Sequence, residues 1–262
     1  MGERGSSADM EAEQDQELLV VLGEGSDATL YLERDTGLVV KHHKLLTSFL
    51  RELRVLKTFS TPFFVRMHSY VVAEQVLYLE KFDCDLLTYL LDQAPLLSVP
   101  SNRYFQHHVT LCILTGLAQM HERGLAHNDV KPENVLVSKA PLRAALADFG
   151  RTSFPGEGSQ LPGTRCYAAP EALAGRGGRS SDCWSAGLVA YACLELQLPF
   201  GEELEGDEAA EAAALSLGEK QRSWPSWASW LISGLLKVEP KERLSALRGV
   251  QHLENVEDPL AC

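Results

Sequence analysis

Within His127-Asn128-Asp129-Val130-Lys131-Pro132-Glu133-Asn134 a carboxylate is followed two residues later by a lysine and three beyond that by an amide. Downstream, Asp148-Phe149-Gly150 adds a second carboxylate beside a glycine. Phosphoryl transfer needs this set: an acceptor to orient a hydroxyl, a cation near the moving phosphate, and two hard oxygens for magnesium. An H-x-D triplet alone is common. H-x-D-x-K-x-x-N with D-F-G at this distance is rarely met by chance.

Such groups must be held by a scaffold, and the hydrophobic pattern outlines one. Residues 1–17 are polar and acidic with few core formers, which reads as a disordered tail. From Leu18 the chain shows short apolar and β-branched runs at 18–22, 28–33, 38–42, 64–72 and 76–80, separated by turn residues such as Asp35-Thr36-Gly37. A helical period interrupts them at 45–57, with apolar residues at 46, 49, 50, 53 and 56. From about Leu86 the period is helical, over 86–92, 103–124, 182–196, 208–218, 226–237 and 243–250. The change of texture falls at Glu80-Lys81-Phe82-Asp83. The stretch 202–215 is acidic and Ala-rich, and no internal repeat is present.

Composition narrows the function class. The 262 residues suffice for one domain of this kind, and a hydrophobic fraction of 45% supplies a core. A formal net charge of −12 argues against broad nucleic-acid affinity, since a phosphate backbone rewards Lys and Arg. No apolar run is long enough for a membrane span, so no stable membrane insertion is expected, and no signal-peptide pattern opens the chain. Cysteines 84, 112, 166, 183, 193 and 262 form no C-x-x-C pair, as expected of reduced thiols in a cytoplasmic or nuclear protein. Met1-Gly2 with Ser6 fits the N-myristoylation pattern at Gly2, but acidic neighbours and the lack of a polybasic second anchor favour a plain solvated tail.

The catalytic segment resembles the catalytic and metal-binding loops of eukaryotic-type serine/threonine protein kinases, and further motifs extend the resemblance. Gly163-Thr164-Arg165-Cys166-Tyr167-Ala168-Ala169-Pro170-Glu171 matches the family's G-T-x-x-Y-x-A-P-E. Asp182-Cys183-Trp184-Ser185-Ala186-Gly187 matches its D-x-W-S-x-G, and Arg243 matches the arginine that pairs with the A-P-E glutamate, here Glu171. The resemblance implies an α+β, bilobal protein-kinase-like fold: a kinase domain over 18–254, with a small β-rich N-lobe (18–80) carrying one main helix, a larger helical C-lobe (83–254), and a C-terminal tail at 255–262.

The resemblance also implies roles. ATP and Mg2+ are the expected cofactors, and proteins with Ser/Thr acceptors the expected substrates. Asp129 would orient the substrate hydroxyl or take its proton, Lys131 would steady the γ-phosphate, and Thr164 would bridge the two. Asn134 and Asp148 would hold magnesium. Leu22-Gly23-Glu24-Gly25-Ser26-Asp27-Ala28 is a glycine-rich turn between two predicted strands, where backbone N–H groups can approach phosphate oxygens. Ala28 stands where the family has its third glycine. Lys41 is the expected phosphate-binding lysine, with Val39 on the same strand face; Lys44, of opposite parity, is the competitor. The lysine needs a carboxylate partner, and Glu52 is the sole acidic residue between Lys41 and Glu74. Backbone groups of Glu80 and Phe82 would bind the adenine edge, and Leu30, Val39 and Leu136 would enclose the ring.

One departure bears on regulation. Where the family has an arginine that receives a phosphate on the activation segment, this chain has Asn128, which cannot neutralise a charge near −2. Two alternatives to an active protein kinase stand beside the leading reading. A pseudokinase would keep the fold as a scaffold, yet Lys41, Glu52, Asp129, Lys131, Asn134 and Asp148 are all present. A small-molecule kinase of the aminoglycoside or choline type shares the H-x-D loop but is not expected to carry Thr164, A-P-E or D-x-W-S-x-G.

Overall fold

A computed structural model describes residues 18–93, 101–158, 163–198 and 224–256. The tail at 1–17, the candidate helix at 208–218, the acidic stretch 202–215 and most of 255–262 lie outside them. Backbone contacts divide the chain into two compact units, the first holding residues up to Ser60 together with Val65–Lys81, the second holding Thr61–Phe64 and everything from Phe82.

The first unit is an antiparallel sheet with one helix. Its strands are β1 (Leu19–Glu24), β2 (Ala28–Glu33), β3 (Val39–His43), β4 (Met67–Val71) and β5 (Val76–Leu79), in the order β1-β2-β3-β5-β4. Gly37, at φ 70°, occupies the left-handed region that the tight β2–β3 turn requires. The registers pair Leu30 with Lys41 and Val39 with Leu79, so these side chains share one sheet face. Helix α1 (Leu46–Thr58) buries Ser48, Phe49, Glu52, Leu53, Val55 and Leu56. Leu46 and Leu50, expected on the apolar face, are about half exposed. The buried stripe is therefore rotated from the one that hydrophobicity alone suggests, and Glu52 lies within it.

The strand expected at 64–72 is shorter. Phe64 forms an isolated parallel bridge with Leu146, and Leu146 N donates to Phe63 O, both within the second unit.

The second unit contains α2 (Leu86–Gln93), α3 (Ser101–Glu122), the single turn α4 (Pro170–Leu173), α5 (Arg179–Glu195), α6 (Ser226–Leu235) and α7 (Ala246–Glu254). Helix α5 is buried over nearly its whole length, from Ser181 to Cys193. A Cβ on its Gly187 would come within 2.9 Å of Leu235 and Leu236, so glycine is what lets the end of α6 pack so closely. Helix α7 starts three residues later than the period suggests, because the Ser245 side chain caps it by accepting from Arg248 N.

The unit is not purely helical. Strands β6 (Cys84–Asp85), β7 (Val135–Lys139) and β8 (Leu142–Leu146) form a three-stranded antiparallel sheet in that order. Ala144 and Ala145 are poor strand formers, and packing on α3 rather than local propensity makes β8 a strand. This sheet positions the chemistry: β7 begins one residue after Asn134, and β8 ends two residues before Asp148.

Candidate active site

In the first unit, alternation along β3 sends Lys41 and His43 to one face, towards Glu52 of α1. Lys41 Nζ donates to Glu52 Oε2 at 2.6 Å, and both side chains are buried. His43 Nε2 lies 3.1 Å from the same oxygen but is not aligned for a hydrogen bond, so neither ring nitrogen has a hydrogen-bond partner. Lys44 faces the other way. Its ammonium bonds Glu24 Oε1 at 2.8 Å and Gly25 O at 2.9 Å, and its backbone N bonds Asp27 O. The competitor lysine thus holds the glycine-rich turn from behind, a role that strand parity gave no hint of. Glu80 N is taken by Arg66 O at 2.9 Å, which leaves the Glu80 carbonyl as the group that could meet a ligand.

In the second unit, Asp129, Lys131, Asn134 and Thr164 converge. Thr164 Oγ1 donates to Asp129 Oδ1 at 3.1 Å and accepts from Lys131 Nζ at 2.8 Å. Asn134 Nδ2 donates to the Asp129 carbonyl at 2.8 Å and to Asp129 Oδ2 at 3.0 Å. Lys131 Nζ stands 3.8 Å from that carboxylate oxygen. The Asp129 carboxylate is thereby fixed by one hydroxyl and one amide, with a cation beside it. Gly163 is required here: a Cβ would fall 2.3–2.8 Å from the Asp129 carboxylate atoms. The sequence reading placed Gly163 in a motif but gave it no role, because only the fold brings residues 129 and 163 together.

The catalytic loop rests on buried polar anchors. Asp182 of α5, almost fully buried, accepts from the backbone N of His127 and of Asn128 and lies 2.8 Å from His121 Nε2. His127 Nε2 meets Ala147 O at 3.1 Å and its ring packs on Phe149, so the residues either side of Asp148 are both tied to it. Asp148 has φ 58°. A non-glycine residue in that region carries a conformational cost that the surrounding bonds must offset.

These residues suit a magnesium-bound nucleotide. The bonds of Asn134 use Nδ2, which leaves Oδ1 as a hard ligand, and Asp148 supplies a carboxylate. Among the described residues no three His, Cys, Asp or Glu side chains could hold a metal alone. Magnesium is usually held by one or two protein oxygens, with phosphate oxygens and water as the rest, and the pair fits that pattern.

The segment after Gly163 is anchored through Glu171. Arg243 NH1 meets Glu171 Oε1 at 2.5 Å and NH2 meets Oε2 at 3.1 Å, while Ser181 Oγ donates to Oε1 at 2.8 Å. Burial pushes the Glu171 carboxyl up, but the bonds to Arg243 and Ser181 outweigh it and hold the group below its ordinary value.

Comparison with known proteins agrees with this geometry. A family model described as protein kinase domain matches residues 22–253. The chain belongs to the protein kinase domain family. Among similar proteins, ovarian-specific serine/threonine-protein kinase Lok of Drosophila melanogaster is 34% identical over 75% of this chain and 43% of its own. CBL-interacting serine/threonine-protein kinase 24 of Arabidopsis thaliana is 29% identical over 88% of this chain and 54% of its own. Calcium-dependent protein kinase 27 of the same plant is 36% identical over 53% and 30%. The chain spans about half the length, or less, of these relatives. No helix among the described residues of this kinase domain is long and apolar enough to cross a membrane.

Proposed function

We propose that this kinase domain transfers the γ-phosphoryl group of ATP to serine or threonine hydroxyls of proteins. The observation that carries the reading is the Asp129–Thr164–Lys131–Asn134 cluster: a carboxylate fixed by neutral donors with a cation at hand. When bound, a magnesium–nucleotide complex supplies the phosphoryl group and spreads its charge. Asp129 orients the acceptor hydroxyl and takes its proton at a carboxylate oxygen. Lys131 offsets negative charge, and Thr164 keeps the carboxylate and the lysine in register. Asn134 and Asp148 would hold the cation. Lys41, steadied by Glu52, binds the nucleotide phosphates beside the turn of Leu22, Gly23, Gly25 and Ala28. Leu30, Val39 and Leu136 would cover the base, and the backbone of Glu80 and Phe82 would meet its edge.

Glu133 is exposed in the catalytic loop and supports a preference for basic residues near the acceptor. The acidic residues Asp83 and Asp85 are instead engaged with backbone: Asp83 Oδ2 accepts from Lys139 N, and Asp85 caps α2 through Thr88 N. A reducing compartment, cytoplasmic or nuclear, fits the five described cysteines, none of which is in a disulfide. Burial pushes the Cys183 and Cys193 thiols up to about 12, so they behave as core residues rather than reactive groups.

An assay with ATP, magnesium and a Ser/Thr peptide library tests the reading. Asp129→Ala and Asp148→Ala should each abolish transfer, and Asp148→Ala should also weaken magnesium-dependent nucleotide binding. Substantial turnover by Asp129→Ala would overturn the assignment of the acceptor carboxylate.

A further inference from the structure

We propose that His43 is a positioning residue of the nucleotide site: a reserve donor that takes the Glu52 carboxylate as Lys41 turns to the nucleotide phosphates. This rests on the kinase reading above and concerns how the lysine of that same site is freed to bind.

His43 follows Lys41 by two residues on β3, so strand alternation sends both side chains towards α1. Its side chain and that of Glu52 have no solvent exposure. The ring meets Phe49 of α1 edge-on, with centroids 5.6 Å apart at 71°. Neither ring nitrogen has a hydrogen-bond partner, and neither has Glu52 Oε1. Unbonded polar atoms are rare in a dry interior, because each has lost its water and gained nothing. Distance is not the obstacle here. His43 Nε2 lies 3.1 Å from Glu52 Oε2, and only the angle is wrong. The two torsions that would correct it, the last of the glutamate and the last of the histidine, are both broad and soft. The donor is in place and a small rotation engages it.

Nucleotide binding gives that donor a use. Lys41 Nζ holds Glu52 Oε2 at 2.6 Å, and phosphate oxygens compete for the same ammonium. Whatever Lys41 gives to phosphate it withdraws from Glu52, and a buried anion that loses its cation is strongly disfavoured. Left uncorrected, that loss opposes nucleotide binding. His43 corrects it: with hydrogen on Nε2 the ring donates to Oε2, or to Oε1 after a turn of the carboxylate, whether or not it carries a charge. An apolar residue at this position offers no donor, and a permanent cation would contest Glu52 with Lys41 at all times. Ser48, buried one turn before Glu52 on α1, also has an unpartnered hydroxyl and is the rival donor.

The test is a double-mutant cycle on the full chain, followed by thermal unfolding without nucleotide and by titration with magnesium and ADP. Lys41→Met and His43→Leu each leave Glu52 one donor, so together they should lower Tm by about 5 °C more than the sum of their separate effects. His43→Leu should weaken ADP binding about tenfold, the worth of one hydrogen bond to a charged group, with kcat at saturating ATP within about threefold. His43→Gln carries an amide donor and should restore binding to within about threefold of wild type. Ser48→Ala should leave both the Tm excess and the affinity unchanged. In wild-type protein, 15N-histidine NMR should show hydrogen on Nε2 and its proton moving downfield as ADP and magnesium are added. This last arm needs no substitution and covers a leucine variant that does not fold. Additive Tm losses, unchanged ADP binding in His43→Leu, a Tm excess that vanishes in Ser48→Ala, or a ring with hydrogen on Nδ1 alone would each overturn the proposal. The Tm excess is read without turnover: an inactive protein that shows it refutes the kinase reading alone, and an active one that lacks it refutes the role of His43 alone.

Discussion

Replacing Arg243 by alanine should destabilise this kinase domain more than almost any other single change, and the structure shows why. All five guanidinium N–H groups are used. Nε bonds Lys237 O at 2.8 Å, NH1 bonds Glu171 Oε1 and Ser180 O, and NH2 bonds Glu171 Oε2 and Val238 O. The side chain has no solvent exposure, and that of Glu171 has 10%. Alanine would leave a largely buried carboxylate with only Ser181 and the backbone N–H of Glu171 as donors, and would remove one donor from each of three carbonyls. Breaking a buried pair in this way costs about 3–5 kcal/mol. For a domain of this size each kcal/mol moves Tm by about 2–4 °C, so the fall should be roughly 6–20 °C. The effect should also depend on pH. In the wild type Glu171 is held below its ordinary 4.5, so its contribution is complete above that pH and is lost as pH falls through the lower folded value. In the variant the Arg243 contribution is gone and burial, opposed only by the Ser181 and backbone bonds, favours the protonated form. The difference between variant and wild type should therefore shrink below pH 4.5. Urea unfolding at pH 7 and pH 4, followed by Trp fluorescence, measures both; Trp184, whose ring lies 5.2 Å from the Arg243 guanidinium carbon, is a local reporter. A loss under about 1 kcal/mol at pH 7 would refute the reasoning, because it would mean water or relaxation satisfies the orphaned groups.

Lys41→Met should reduce turnover on the order of 100-fold or more with the fold retained, whereas Lys44→Met should raise KM for ATP only about threefold by loosening the glycine-rich turn; loss of activity in Lys44→Met alone would reverse the assignment. Peptide arrays should show a preference for arginine near the acceptor that Glu133→Gln weakens about tenfold, and a proline- or acid-directed preference would remove the idea. Burial holds His107 below its ordinary 6.5, only partly offset by the Leu253 carbonyl, so the unfolded chain takes up a proton first and stability should fall as pH drops below 6.5. His107→Gln should flatten that part of the urea-midpoint profile; an unchanged slope would show that other groups, His108 among them, carry it.

Local pattern was legible in the sequence, and partnership in space only where family motifs named both partners, as for Lys41 with Glu52 and Glu171 with Arg243. Motif spacing pointed to Asp129, Lys131, Asn134, Asp148 and Thr164, because the first three lie in one loop and the others in segments of fixed type. Strand parity separated Lys41 from Lys44, since a period of two is strict. The rotation of α1 was not readable: Leu46 and Leu50 look like core, but the sheet selects the face that holds Glu52. Strand β8 was hidden by its alanines, whose strand state comes from contacts with α3 and β7. The Gly163–Asp129 contact and the Lys44 support of Gly25 join residues 34 and 19 positions apart, and no local pattern encodes such pairs.

The buried carboxylates show how the chain separates framework from chemistry. Asp182 accepts two backbone N–H bonds and lies against His121, and Glu171 accepts a forked arginine and a serine; their oxygens are filled by donors that cannot leave without unfolding. Asp129 is held differently, by a threonine hydroxyl and an asparagine amide, with the nearest cation at 3.8 Å. The role proposed for Asp129, orienting an acceptor hydroxyl, needs a carboxylate oxygen that no fixed cation occupies. Glu52 is intermediate: Oε2 has one short bond to Lys41, while buried Oε1 has no partner. An acid so incompletely satisfied is tied to a single cation, with the His43 ring beside it. The degree of satisfaction thus ranks these acids from fully to partly bonded, and the two least saturated, Asp129 and Glu52, are those proposed above to act on substrate and nucleotide.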